Sequence, residues 1–182
     1  LQGGNIAKFD CVIANPPFSL ENWGATEWSS DKYKRNIYGT PSDSCGDYAW
    51  IQHMICSMSS GKGRMAVVMP QGILFRGNQE AEIRKQLVES DLIEAVVTLG
   101  DKLFYGTGLS PCFLIIRRMK PAHHSGRILM IDGSKILTQK RAQNILEEND
   151  IDRLYSLYQN YSDEEDYSRI VTLQEIRDKE YN

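Results

Sequence analysis

The order of its apolar runs constrains this 182-residue chain more than any other feature. Phe9–Ala14, Arg64–Met69 and Leu92–Leu99 are too short for helices and read as strands, the first two as buried ones. A mostly apolar helical run from Asp47 to Ser60, closed by Gly61 and Gly63, separates the first two. A second helix, with Asn78 as its candidate cap and Ile83 and Leu87 on its course, separates the next pair. Strands that alternate with helices pair in parallel through right-handed crossovers. Cys112–Arg118 follows the third strand after only the glycine-bearing turn Gly100–Ser110, which predicts an antiparallel hairpin. The fold class expected is α/β, a mainly parallel sheet with a late antiparallel strand.

The first run ends in Asn15-Pro16-Pro17-Phe18. Neither proline can donate to the ladder, so the strand stops and an amide and a ring stand at its carboxyl end. That end of an open α/β sheet is where ligands bind, and it places the tetrapeptide on a central strand. The geometry suits methylation of a planar nitrogen, whose delocalised lone pair makes it a poor nucleophile. The Asn15 side-chain oxygen and the carbonyl left free by Pro16 can accept both N–H groups of such an amine, and Phe18 can lie flat on its plane. No acid or nucleophile from the protein is needed. Taken alone, the tetrapeptide could equally be a rigid turn, since Asn and Pro are ordinary turn residues.

A net charge of −3 and a pI near 5.7 argue against a stand-alone nucleic-acid binder. If the protein meets DNA, other chains or segments must supply much of the phosphate contact. Cys11, Cys45, Cys56 and Cys112 lack ligand-like spacing, so no metal is expected; Cys11 and Cys112 lie in apolar runs and read as small buried hydrophobes. Nothing resembles a signal peptide or membrane span, which makes the cytoplasm the default location. The chain starts at Leu1 and reaches its first strand within ten residues, as a piece of a longer protein would.

Ser19 to Gly46 is long, polar and aperiodic, with Trp23, Trp28, Tyr33 and Tyr38, and reads as a functional or mobile loop. Gln71 to Gly77 is a loop in which Arg76 could touch a phosphate or cap carbonyls. Ile128 to Ile131 is a further strand. Beyond it the pattern turns polar and helical: Asp150 can cap a helix carrying Ile151, Leu154, Leu157 and Tyr158, and Thr172-x-x-Glu175 matches a capping box. His53 reads as packing or a local hydrogen bond, and His123 and His124 as exposed. Glu147-Glu148 and Glu164-Glu165 read as solvated surface.

Read together, Phe9 through Phe18, Asp47-Tyr48-Ala49-Trp50-Ile51-Gln52-His53-Met54 and Met69-Pro70-Gln71-Gly72-Ile73-Leu74-Phe75-Arg76-Gly77 resemble a known family. So do Glu82-Ile83-Arg84-Lys85, Asp91 to Val96, Leu103-Phe104-Tyr105-Gly106-Thr107-Gly108 and Lys140 to Asn144. The family is the modification (methyltransferase) subunit of type I restriction–modification systems, adenine-N6 DNA methyltransferases. The resemblance implies a partial Rossmann-like fold using S-adenosylmethionine, with Asn15, Pro16, Pro17 and Phe18 as the catalytic tetrapeptide and Asn15 and Pro16 also bordering the cofactor. It places Phe104, with Tyr105 as competitor, as a second aromatic against the extruded adenine beside Phe18, and leaves Arg76 a substrate-side candidate. It implies DNA, a specificity subunit and a restriction subunit as partners.

The family's main cofactor motif lies amino-terminal to the tetrapeptide; Gly61-Lys62-Gly63 and Gly106-Thr107-Gly108 read as a helix stop and a hairpin turn, not as substitutes. Residues 1–133 are thus expected to form the carboxyl-side half of a methyltransferase domain and 134–182 a mostly helical extension, inactive in isolation. A glutamine-N5 protein methyltransferase and a catalytically inert structural piece are the alternatives.

Overall fold

The computed structural model describes residues 1, 3–104, 108–141 and 143–182. Its elements are β1 (Cys11–Ala14), α1 (Ala25–Ser29), α2 (Asp47–Ser57), β2 (Arg64–Pro70), α3 (Gln79–Glu89), β3 (Ile93–Leu99), β4 (Pro111–Arg117), β5 (Arg127–Gly133), α4 (Glu148–Asn160), β6 (Ser168–Thr172) and α5 (Leu173–Asp178). All six strands form one sheet in the order β1-β2-β4-β3-β5-β6. β1 and β2 pair in parallel, as do β3 and β5, while β4 runs antiparallel to both its neighbours and β6 antiparallel to β5. The hairpin return of β4 therefore fills the place between β2 and β3, which share a direction but do not touch.

Side chains on a strand alternate between faces, and here both faces are apolar because both are covered. Met65, Val67, Leu114, Ile116, Val96 and Ile128 meet Ile51, Ile55, Ile83 and Leu87 of α2 and α3. Ala95, Val97, Leu99, Leu129 and Ile131 meet Leu157 of α4 on the other face. Among the described residues no helix is long and apolar enough to cross a membrane.

Some expectations need correcting. β1 is an edge strand, not a central one: Cys11 is exposed and Ile13 is 77% exposed, while Val12 and Ala14 pack on the core. An apolar run shows that a surface is suited to covering, and is silent on which chain segment covers it. Phe9 lies outside the ladder; it bridges to Met58, its N–H donating to Ser57 O at 2.8 Å. Asn78 stands at the N-cap of α3 without a side-chain cap bond. α4 starts early enough that Glu147 is its N-cap and Asp150 the reciprocal partner three residues on, accepting the Glu147 N–H at 2.9 Å. The carboxyl-terminal stretch also carries a strand, β6, which extends the sheet; its half-exposed alternation is too short to stand out as a pattern. The box at Thr172 and Glu175 is present as expected.

His124 is also not exposed. Its Nδ1 lies 3.1 Å from Oε1 of the buried Glu94, and its ring stacks on Tyr161. Glu94 also accepts from the Tyr158 hydroxyl at 2.8 Å and pairs with Arg117 at 3.3 Å. A carboxylate taken into a sheet must recruit donors, and those recruited here come from the neighbouring strand, loop and helix.

The loop from Ser19 to Gly46 folds back on itself. Asn22 N–H donates to Asp43 O, Gly46 N–H to Leu20 O and Trp23 Nε1 to Ser42 O. Buried Gln52 of α2 accepts from Tyr38 N–H and donates to Gly39 O, so α2 anchors the loop.

Candidate active site at the carboxyl edge of the sheet

The parallel strands β1, β2 and β3 deliver their carboxyl ends to the same edge. At that edge Pro70 faces Pro111 across the β2–β4 pair, so neither can donate a backbone N–H and the ladder closes there. Gln71 spans the gap beyond the prolines: its N–H donates to Ser110 O at 3.2 Å and its side chain to Leu99 O at 3.3 Å. This residue, which the sequence marks only as one member of a longer motif, ties the end of β2 to the end of β3 and the approach to β4.

Asn15 emerges directly from β1 and is exposed, with Pro16 and Phe18 half-buried behind it. The Phe18 and Phe104 rings meet with centroids 6.2 Å apart and planes at 79°, an edge-to-face contact. Residues 18 and 104, remote in sequence, are thus brought together at the carboxyl edge of the sheet. Two parallel rings flanking a base would stand roughly 7 Å apart, twice a contact distance of about 3.5 Å. The observed pair instead fills its own gap, and one ring must turn for a base to enter. Tyr105, the competing ring, lies outside the described residues with Gly106 and Thr107 of the turn.

Arg76 neither caps carbonyls through its guanidinium nor points away from the protein. Its Nη1 donates to Asp47 Oδ2 at 2.6 Å and to Cys45 Sγ at 2.9 Å, and its Nη2 donates to the Ser19 hydroxyl at 2.9 Å. Glu80 Oε2 lies 3.5 Å away. Burial works against the guanidinium charge, yet the bond to Asp47 and the proximity of Cys45 and Glu80 carry its pKa above the ordinary arginine value. Burial pushes the Cys45 thiol up to about 12, so it stays a neutral donor to Asp47. Asp47 opens α2 with 0% exposure and also accepts the Ser19 N–H at 2.7 Å. A carboxylate in the first turn of a helix gains from the helix dipole. The sequence marks Asp47 only as the first residue of a helix and of a longer motif, and gives no sign of Ser19.

Ser19, Ser42, Cys45 and Arg76 line a cavity of 480 Å³ beside the tetrapeptide. An apolar cavity of 500 Å³ lies beneath α5, walled by Leu87, Val96, Leu114 and Ile176, and contains none of these groups. His53 is half-buried near Arg35, 3.4 Å from its Nη1, in keeping with a local hydrogen-bonding role.

Residues 2–182 match the family model described as N-6 DNA Methylase. The methylase subunit of the type I restriction enzyme MjaVII from Methanocaldococcus jannaschii is 36% identical over 96% of this chain and 31% of its own length. The HindI methylase subunit from Haemophilus influenzae is 30% identical over 96% of this chain and 40% of its own. A crystal structure of the type I restriction–modification methyltransferase subunit from Streptococcus thermophilus superposes with a TM-score of 0.89 at 28% identity, covering 100% of this chain and 38% of that one. The chain thus spans about a third of the length of these relatives.

Proposed function

Since the chain belongs to the N-6 DNA methylase family, we propose that it carries the base-facing edge of a DNA methyltransferase. The reaction is transfer of a methyl group from S-adenosylmethionine to the N6 amine of adenine, with the methyl–sulfur bond broken to leave the neutral thioether and one N6 proton released to water, within a type I restriction–modification complex. The observation that carries this reading is the exposed Asn15 at the carboxyl end of β1, three residues before Phe18, whose ring meets that of Phe104.

The Asn15 side-chain oxygen and the Pro16 carbonyl accept the two N–H groups of the amine. Those bonds strengthen as the nitrogen lone pair is drawn toward attack, so they favour the transition state over the ground state. Pro17 keeps the segment stiff, and Phe18 stacks on the extruded base to hold its plane. The residues fit the methyl-bearing end of the cofactor, because two neutral acceptors stand together at the strand end. S-adenosylmethionine, when bound, would supply a methyl group on positively charged sulfur, and Asn15 and Pro16 are the residues that would border it. A glutamine-N5 substrate loses its footing, because the relatives matched along nearly the whole chain are restriction-system methylase subunits.

DNA, a specificity subunit and a restriction subunit are the partners proposed. The net charge of −3 supports a division of labour in which phosphate contacts come mainly from elsewhere in the complex. The test is tritium transfer from labelled S-adenosylmethionine by the full-length protein assembled with its system's partners. Label recovered as N6-methyladenine supports the reading; label absent from DNA, or found on protein glutamine, overturns it.

A further inference from the structure

Ser19 is held from two sides by groups remote in sequence. Its N–H donates to Asp47 Oδ1 at 2.7 Å, its hydroxyl accepts from Arg76 Nη2 at 2.9 Å, and Arg76 Nη1 joins Asp47 Oδ2 at 2.6 Å. The three residues close a ring. Ser19 also has a φ of 50°, the left-handed region that a residue with a side chain keeps only when its surroundings impose it. It follows Phe18 directly, so its torsion and its bonds to Asp47 and Arg76 anchor the carboxyl end of the tetrapeptide.

Gly72 places Arg76 in turn. A Cβ at this glycine would lie 2.6 Å from Arg76 Nε and 2.8 Å from its Cζ, so the guanidinium crosses the bare face of Gly72. The Arg76 charge faces two buried carboxylates, Asp47 and Glu80, and is neutralised within the protein. Little of its field remains for a DNA phosphate.

We propose that Asp47 and Arg76 are positioning residues for the methyl-transfer site: they lock Ser19 in its left-handed conformation and so fix Asn15 to Phe18 against the base. This rests on the methyltransferase function proposed for the chain. Arg76 acts through Ser19 and not through the DNA backbone.

Three variants of the full-length methylating complex test it. Arg76→Met should lower kcat by at least about tenfold while KM for DNA stays within about twofold, since misplacing a reacting group costs rate rather than backbone contact. Arg76→Lys keeps one charge for Asp47 but not the two-pronged reach to Ser19, and should recover part of the loss. Gly72→Ala removes no polar group, yet it displaces the guanidinium and should reproduce the kcat loss. Amide hydrogen exchange at Ser19 should accelerate in Arg76→Met and Gly72→Ala. A raised KM for DNA with unchanged kcat would make Arg76 a phosphate contact and overturn the proposal, as would wild-type kcat and Ser19 protection in Gly72→Ala. If the wild-type complex methylates no adenine, the methyltransferase reading fails and the positioning role falls with it.

Discussion

At Asn15 the chain offers a neutral acceptor at a strand end whose ladder has been stopped by two prolines, and the chemistry proposed for it needs no acid or nucleophile from the protein. Asn15→Ala removes one acceptor aimed at the reacting amine. Loss of a comparable transition-state hydrogen bond costs about 10²–10³ in rate. The same loss is expected in tritium transfer by the assembled complex, and turnover near wild type would show the tetrapeptide to be structural. The rings make a separate claim. Base–aromatic stacking contributes roughly 1–3 kcal/mol per base and helps offset the cost of flipping. With 2-aminopurine at the target position, Phe18→Ala and Phe104→Ala should each change the fluorescence response on binding while leaving DNA affinity nearly intact. If Phe104→Ala alters neither signal nor methylation while Tyr105→Ala abolishes both, the second wall is Tyr105. Asn15 to Phe18 are legible in the sequence because the strand, its stop and the functional groups are contiguous. The ring of Ser19, Asp47 and Arg76 is not, since its three bonds span 28, 29 and 57 positions and join residue types that commonly sit on a surface.

Among the elements, β1 to β5 and the two crossover helices are readable from apolar runs and periodicity, β6 is not, and the short link before β4 is enough to predict its antiparallel sense. The place of β4 between β2 and β3 is not readable, because strand order depends on which neighbour a hairpin folds toward. The edge position of β1 escapes for a related reason: Ile13 and Cys11 are as apolar as a central strand would be. Capping is legible where both halves of the box are spaced correctly. Thr172 Oγ1 accepts the Glu175 N–H at 3.2 Å, and Glu175 Oε2 accepts the Thr172 N–H at 2.8 Å. α5 has only six residues, so its start depends on this pair more than a longer helix would. Thr172→Ala should destabilise the protein by about 1 kcal/mol in urea titration, the usual loss for an N-cap. Because Ile176 of α5 packs on the core, the loss should register in the global transition. An unchanged midpoint would mean that α5 is held by packing alone.

At the scale of the whole molecule, two partly buried histidines, His124 beside Glu94 of β3 and His53 beside Arg35, give the stability a pH signature. His124 and His53 are both held below the ordinary imidazole pKa, chiefly by burial, which for His124 outweighs its bond to Glu94. A histidine with a lowered folded pKa binds fewer protons in the folded than in the unfolded state. Its contribution to stability is therefore complete above the unfolded pKa of 6.5 and is lost as pH falls through that value toward the folded one. The carboxylates act in a lower window. Asp31 is held at about 2 by its bonds to Arg35, and Asp132 is lowered by its bonds to Ser134, from an unfolded value of 3.8. Their contributions persist until the medium is far more acidic. Between about pH 7.5 and 5.5 the slope of stability thus belongs to the histidines. The melting temperature should fall across this interval, and His124→Gln, which keeps a donor for Glu94 without a titrating ring, should flatten the fall. The opposite result, a melting temperature that rises on acidification and loses that rise in His124→Gln, would mean that the charged His124–Glu94 pair is worth more to the fold than the burial it opposes.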